Sequence, residues 1–210
     1  MSWLEASVLL LLYGTALVAG WAAALVWRRR AGAWAGPVVV LLLALIPWSL
    51  GQAMALQVET VAEKTFWELA QLPGIVTVPV AWFVLSLQQA GKQRWLRPRV
   101  LLLLSLPGIL TMPLALAYSY TPLGRLIYTD VTLVRAGPFE AAVTGYGPWA
   151  WLHISYNAIL LVGGSIWLYP ALRERAAFDS RWGRAAALLA PWLHWPFFLL
   201  TRMGALALDL

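Results

Sequence analysis

The chain has 210 residues, of which 61% are hydrophobic and 11% are charged, and its formal net charge is +6. This composition excludes an ordinary soluble domain and favours a membrane protein with several apolar spans. The chain contains no cysteine, which excludes disulfides and thiolate metal sites. A basic chain can bind nucleic acid, but these basic residues flank apolar stretches as topology signals do, so no nucleic-acid partner is expected.

Long apolar stretches follow one another along the whole chain. Each is near the ~20 residues that cross a hydrocarbon layer of ~30 Å. Because the links between several of them are short, we expect neighbouring helices to run antiparallel in one bundle. We therefore predict an all-α polytopic membrane protein, with a single transmembrane domain over residues 1–210. Its spans are predicted at roughly 4–27, 37–58, 66–89, 100–118, 149–169 and 186–206.

One link, from residue 119 to residue 148, is much longer than the others. Residues 127–134 are rich in β-branched and aromatic side chains, and the Ala-Gly-Pro of 136–138 marks a turn. Residues 139–144 can return as a second strand. The pattern predicts a small β-hairpin over the outer mouth of the bundle, with an irregular extracellular loop as the alternative.

The basic residues fall almost entirely on alternate links. Short loops rich in Lys and Arg stay in the cytoplasm. The sequence therefore predicts a multi-pass membrane protein with its N-terminus outside. The residues on the basic side are Arg28, Arg29, Arg30, Lys92, Arg94, Arg97, Arg99, Arg173, Arg175, Arg181 and Arg184, which make 11 of the 15 basic residues.

Polar side chains within the spans are candidates for a ligand site, because polar groups at membrane depth are costly. Most of them lie in the predicted outer halves, which suggests a cavity open to the outside. The alternative is that they join helices by hydrogen bonds. The candidates are Glu68, Gln71, His153, Tyr156, Asn157, His194, Gln52 and Arg202, with Trp67 and Trp149 as apolar walls.

The two histidines of the chain, His153 and His194, both lie in predicted spans. Two histidines on different helices can ligate haem, so a haem-binding subunit is one alternative. A structural subunit of a larger membrane complex is another. The chain has no HExxH pattern and no glycine-rich phosphate loop. No enzyme activity, no metal site and no resident cofactor are therefore predicted for this chain.

The chain resembles the N-terminal seven-transmembrane sensor region of bacterial histidine kinases and related signalling proteins. The third span is similar to the family pattern in its order of Trp, Gln, Gly, Pro and Trp, and the fifth begins with Gly-Pro-aromatic followed by His and Tyr. An expected proline lies in the fourth and in the sixth span. The chain departs from the family where the fourth span is often followed by Thr-Asn and His. The matching positions are Trp67, Gln71, Gly74, Pro79, Trp82, Pro107, Gly147, Pro148, Trp149, His153, Tyr156, Pro191 and Asp209.

This resemblance implies a sensor or receptor domain. A small ligand would bind in the outward-facing cavity, and a helix rearrangement would be passed to a cytoplasmic kinase or another output module. It also implies a homodimer and a location in the bacterial inner membrane. Six crossings would leave Leu210 outside, so we expect the sequence to be truncated before the family's seventh helix.

Overall fold

The computed structural model describes residues 3–29, 32, 34–136 and 139–173 of the chain. These residues form five long helices and one β-hairpin, and the predicted all-α polytopic fold is confirmed. All five helices are long and apolar enough to cross a membrane. The predicted sixth span, 186–206, lies outside the described residues. The helices are α1 Trp3–Arg29, α2 Ala35–Gln57, α3 Val61–Gln89, α4 Pro98–Leu116 and α5 Pro148–Arg173, and the strands are β1 Tyr128–Ala136 and β2 Phe139–Tyr146.

The start of α3 lies five residues before the predicted span, because a capping box begins the helix in polar sequence. The Thr60 hydroxyl accepts a hydrogen bond from the Glu63 backbone N–H at 3.2 Å, and the Glu63 carboxylate accepts one from the Thr60 N–H at 3.3 Å. Both bonds satisfy donors that the first turn leaves free. As a consequence Lys64 belongs to α3 and not to the link before it.

Successive helices pack as antiparallel neighbours. In the α1–α2 pair, the Tyr13 hydroxyl in the first half of α1 accepts a hydrogen bond from Gln57 at the end of α2, at 2.7 Å. Close packing of α2 on α3 depends on glycine, since a Cβ at Gly74 would overlap the carbonyl oxygen of Ala44. Small residues at such crossings let backbones approach, which is how membrane helices gain contact without a hydrophobic driving force.

The charges of the described residues divide between the two ends of this bundle. At the end formed by the C-termini of α1, α3 and α5, the described residues carry no carboxylate. The basic residues there are Arg28, Arg29, Lys92, Arg94, Arg97, Arg99 and Arg173. The opposite end carries every described carboxylate, namely Glu5, Glu59, Glu63, Glu68, Asp130 and Glu140.

The predicted β-hairpin is confirmed, and it is longer than the sequence pattern suggested. Its strands are antiparallel, with Tyr128 opposite Tyr146 and a bulge between Tyr128 and Val131. The base of the hairpin is buried, and Ile127 and Tyr128 pack with Leu72 of α3. The hairpin therefore covers the ends of α3, α4 and α5 on the carboxylate side of the bundle.

Candidate functional site

Below the hairpin, three polar side chains of α4 and α5 meet in the interior. The Trp149 indole N–H donates a hydrogen bond to the Thr111 hydroxyl at 2.9 Å, and the same hydroxyl lies 3.2 Å from Nδ1 of His153. The hydroxyl also donates to the Pro107 carbonyl at 2.7 Å. Thr111 and His153 are both buried. The Thr111 hydroxyl thus joins the outer halves of the two helices.

The bonds of Thr111 determine which nitrogen of His153 carries the proton. A hydroxyl has a single proton, and in this arrangement Thr111 uses it on the Pro107 carbonyl. Nδ1 of His153 must then donate to Thr111. An ionised imidazole at this depth would be costly, so the ring is neutral and Nε2 carries a lone pair. Nε2 is buried and has no hydrogen-bond partner in the described part of the chain.

A second link between α4 and α5 lies one turn deeper. The Tyr156 hydroxyl donates to the Leu104 carbonyl at 2.7 Å. Leu104 lies three residues before Pro107, a residue that cannot itself donate to the helix ladder. The hydrogen bonds of Thr111 and Tyr156 therefore hold α5 against the part of α4 where proline weakens the helix.

Asn157 follows His153 by four residues on α5, and both belong to the buried stripe of that helix. Residues four apart lie on the same helical face, with their Cβ atoms about 6 Å apart. The side-chain oxygen of Asn157 is buried and has no partner within the described ranges. The outer half of α5 thus presents two buried acceptors in succession.

An aromatic layer separates this polar group from the outside. Trp149 packs against the buried cluster that contains Tyr128, and Tyr118 packs against the same cluster. The rings of Tyr118 and Tyr128 make an edge-to-face contact at 5.6 Å. Tyr118 also lines an open groove of about 470 Å³ beside the hairpin, together with Arg125. Tyr118 therefore belongs both to the groove and to the aromatic cluster that Trp149 contacts.

The structure does not bring all the predicted site residues together. Gln71 is buried against Gly51 of α2, at a position where a Cβ on Gly51 would overlap its side chain. Trp67 is half-buried, and its ring packs edge-to-face on Phe66 at 5.2 Å. Glu68 and Gln52 are half-buried on α3 and α2. These four residues belong to the α2–α3 side of the bundle, whereas Trp149, His153, Tyr156 and Asn157 belong to α5.

Two further predicted residues, His194 and Arg202, lie outside the described residues. Whether they face the same space therefore stays a prediction. The haem alternative, which pairs His194 with His153, stays a prediction for the same reason. Among the described residues, no group of three or more His, Cys, Asp or Glu side chains is arranged to hold a metal ion.

Lys64 is a functional candidate that the sequence reasoning missed. Its side chain is only 1% exposed, and its ammonium donates to the Ala55 carbonyl at 3.0 Å. That carbonyl belongs to the last turn of α2, where helix carbonyls lack an internal partner and attract cations. The carboxylates whose charges act on Lys64 are those of Glu140, Glu59, Glu63 and Glu68. Lys64 was missed because the hydropathy pattern placed it in the link before α3.

Thr111 was also missed, although it is the residue that organises the cluster. A threonine inside an apolar span gives little signal, because its hydroxyl commonly bonds the carbonyl four residues back on its own helix. Thr111 does make that bond, to Pro107. Only the tertiary structure places the indole of Trp149 and the imidazole of His153 against the same oxygen.

One protein-family model matches nearly the whole chain. The family model described as the N-terminal 7TM region of histidine kinase matches residues 11–209. The chain belongs to this family. The match confirms the resemblance seen in the residues of the third and fifth spans, and it makes the chain a membrane sensor region of the kind that precedes histidine kinases. No curated protein and no solved structure matches the chain significantly.

Proposed function

We propose that this domain binds a small ligand between the outer halves of α4 and α5 and relays a helix rearrangement to a cytoplasmic kinase or another output module. One observation carries the proposal: within a kinase sensor region, the buried His153 is held by Thr111, and its Nε2 has no partner among the described residues. A buried polar atom without a partner is rare in native structures and calls for an explanation. A ligand that completes the site is such an explanation.

The division of charge supports an orientation for the sensor. The end with Arg28, Lys92 and Arg173 carries no carboxylate among the described residues, and basic ends of spans remain in the cytoplasm. The hairpin and the groove with Arg125 then face outside, and the N-terminus is outside as well. The inner membrane of a bacterium is the location that fits this orientation and the family.

The relay follows from the way α5 is held. Its outer half is bonded to α4 through Thr111 and Tyr156, and its inner half packs on α3 through Gly164 and Trp82. A ligand that binds better to one arrangement of α4 and α5 shifts the population toward that arrangement. Movement of α5 against α3 would carry the shift to the basic end, where the family places the output module.

The test of sensing uses the full-length parent protein in membranes, with autophosphorylation of its kinase as the readout. We expect His153→Gln to change the phosphorylated fraction, because it replaces the imidazole that bonds Thr111 and offers Nε2. The matched control is Ser155→Ala, on the exposed face of the same helix. Gln71→Leu tests the predicted residue on the α2–α3 side. Unchanged output in His153→Gln would refute the proposed site between α4 and α5, whatever the result for Gln71→Leu.

The orientation has a separate test, since the chain contains no native cysteine. Tyr120 is exposed on the hairpin side of α4, and Gln93 is exposed in the turn between α3 and α4. A membrane-impermeant maleimide added to whole cells should label Tyr120→Cys and should label Gln93→Cys only after lysis. The opposite pattern would place the basic end outside and overturn the orientation.

A haem-binding role is the second candidate, and one observation favours it. A histidine that ligates a metal donates its other ring N–H to a protein group, and His153 donates Nδ1–H to Thr111 in this way. A visible absorption spectrum of the purified chain after haem addition distinguishes the two functions. A Soret band that His153→Gln removes would favour haem, and a featureless spectrum would exclude it.

A further inference from the structure

The two unpartnered acceptors on α5 suggest what kind of ligand the site takes. His153 is 6% exposed and Asn157 is 7% exposed, so both side chains are more than nine-tenths buried. Nε2 of His153 and Oδ1 of Asn157 each lack a hydrogen-bond partner in the described ranges. They lie on one face of α5, one turn apart. Two neighbouring polar groups can therefore bond to the same type of group on a ligand.

Both groups accept hydrogen bonds and neither donates one at the atom concerned. Nε2 of His153 carries a lone pair because Nδ1 holds the ring proton and donates to Thr111. Oδ1 of Asn157 is a carbonyl oxygen and can only accept. A ligand that offered further acceptors, such as a carboxylate, an ether or a phosphate, would leave both groups unsatisfied. The complementary ligand donates two hydrogen bonds.

The surroundings limit the charge and the size of that ligand. The next buried residues of the stripe, Leu160 and Leu161, are apolar, and an ion would be poorly stabilised beside them. Along α5, the next buried polar atom without a partner in the described part of the chain is Nε1 of Trp82, which packs at Gly164. Gly164 is seven residues beyond Asn157, or about 10 Å along the helix, which exceeds the reach of a small molecule bound at His153.

We propose that the site takes a small neutral molecule with two adjacent hydrogen-bond donors, of the class of vicinal diols or ureas. One donor bonds Nε2 of His153 and the other bonds Oδ1 of Asn157. This inference rests on the proposed ligand site between α4 and α5 and adds the chemical class of its ligand.

The experiment uses the whole chain in lipid nanodiscs with ¹⁵N-labelled histidine. The spectrum of His194→Gln, compared with that of the unaltered chain, assigns the two nitrogen resonances of His153, and the titrations use the unaltered chain. The probes are ethane-1,2-diol and urea, and the matched controls are 1,2-dimethoxyethane and tetramethylurea, whose donors are blocked by methyl groups. Each probe is titrated while the Nε2 and Nδ1 shifts are followed.

We expect the free protein to show a protonated Nδ1 and an unprotonated Nε2. The diol and urea should move the Nε2 resonance upfield in a saturable way, and the methylated controls should not. Asn157→Leu removes the second acceptor at similar volume. It should weaken the binding of the diol by roughly 2- to 12-fold, which is the range that one neutral hydrogen bond provides. Ser155→Ala, on the opposite face, should leave the titration unchanged.

Three results would overturn the inference. The first is an Nε2 shift that is already at the hydrogen-bonded position and does not respond to the donors, which means that a resident water or side chain satisfies it. The second is an equal response to the methylated controls, which means apolar filling. The third is a spectrum of the free protein in which Nε2 carries the ring proton. If any of these occurs while His153→Gln still alters kinase output, the ligand class fails and the proposed function stands. If the output is unaltered as well, both fail.

Discussion

Two adjacent glycines in α5 provide a sharp test of how the helices pack. A Cβ built at Gly164 would lie 2.8 Å from Cδ1 and 3.0 Å from Nε1 of Trp82. A Cβ built at Gly163 would lie 3.4 Å from the nearest atom of Phe83, which is ordinary contact. The substitutions Gly163→Ala and Gly164→Ala therefore make the same chemical change on the same helix. The new methyl group would meet Phe83 at ordinary contact distance in the first variant and would overlap Trp82 in the second.

The size of the destabilisation by Gly164→Ala follows from the space around the Trp82 ring. Contact at 2.8 Å falls 0.6 Å short of the 3.4 Å at which ordinary contact begins, so the indole or the helix must move by at least that much. Trp82 is buried and packs with Leu161, Leu168 and Leu172, so the ring cannot simply rotate away. Overpacking of this kind costs about 1–3 kcal/mol. Replacing a helical glycine by alanine gains about 0.5–1 kcal/mol in both variants.

We therefore expect Gly163→Ala to be neutral or slightly stabilising. Gly164→Ala should be less stable than Gly163→Ala by about 1–3 kcal/mol, since the propensity gain cancels between them. The assay is equilibrium unfolding of the purified chain in mixed micelles by SDS titration, followed by far-ultraviolet circular dichroism. Trp82→Ala should cancel most of the penalty in a double-mutant cycle. Equal stability of the two alanine variants would refute the packing of Trp82 on Gly164.

Three other predictions follow from the hydrogen bonds of individual side chains and use the same unfolding assay. Lys64→Met leaves the Ala55 carbonyl in the last turn of α2 without its donor and should lower the unfolding free energy by about 1–3 kcal/mol. The control Lys92→Met, at the basic end, should lower it by less than about 1 kcal/mol. Equal losses would refute the role of Lys64 in capping α2. Thr111→Val removes the oxygen that accepts hydrogen bonds from Trp149 and His153, and it should lower the unfolding free energy by at least about 2 kcal/mol. Thr111→Ser keeps the hydroxyl and should retain most of that stability. A serine variant as unstable as the valine variant would show that the shape of the side chain matters and the hydroxyl does not. Tyr156→Phe should cost about 0.5–1.5 kcal/mol, and a loss above that range would indicate a role beyond its bond to α4.

The site was predictable from the sequence only in part. His153, Tyr156 and Asn157 were identifiable because polar residues are costly in an apolar span, and the structure places all three on α5 with the first two bonded to α4. Gln71 was predicted for the same reason, but it packs on Gly51 of α2. A helix presents side chains to several neighbours, and sequence spacing along one helix does not say which neighbour each face meets.

Thr111 and Lys64 show the other limit of sequence reasoning. Each makes a hydrogen bond to a backbone carbonyl, Thr111 on its own helix and Lys64 on the preceding one. Backbone carbonyls are present at every residue, so no sequence pattern marks the particular one that a side chain will reach. The capping box of Thr60 and Glu63 was the sequence signal that could have placed Lys64 inside α3, because it marks a helix start at residue 61.

What the sequence by itself determined is the class of the protein: apolar stretches of membrane length, basic residues on alternate links, a turn between two β-prone segments, and family positions in the third and fifth spans. These depend on composition and short-range periodicity, which a chain carries before it folds. Only the tertiary structure decided that Thr111 joins Trp149 to His153, that Gly164 receives Trp82, and that two acceptors on α5 have no partner among the residues that the structure describes. Those facts arise from contacts between residues distant in sequence, and close packing of helices fixes them only when all the neighbours are in place.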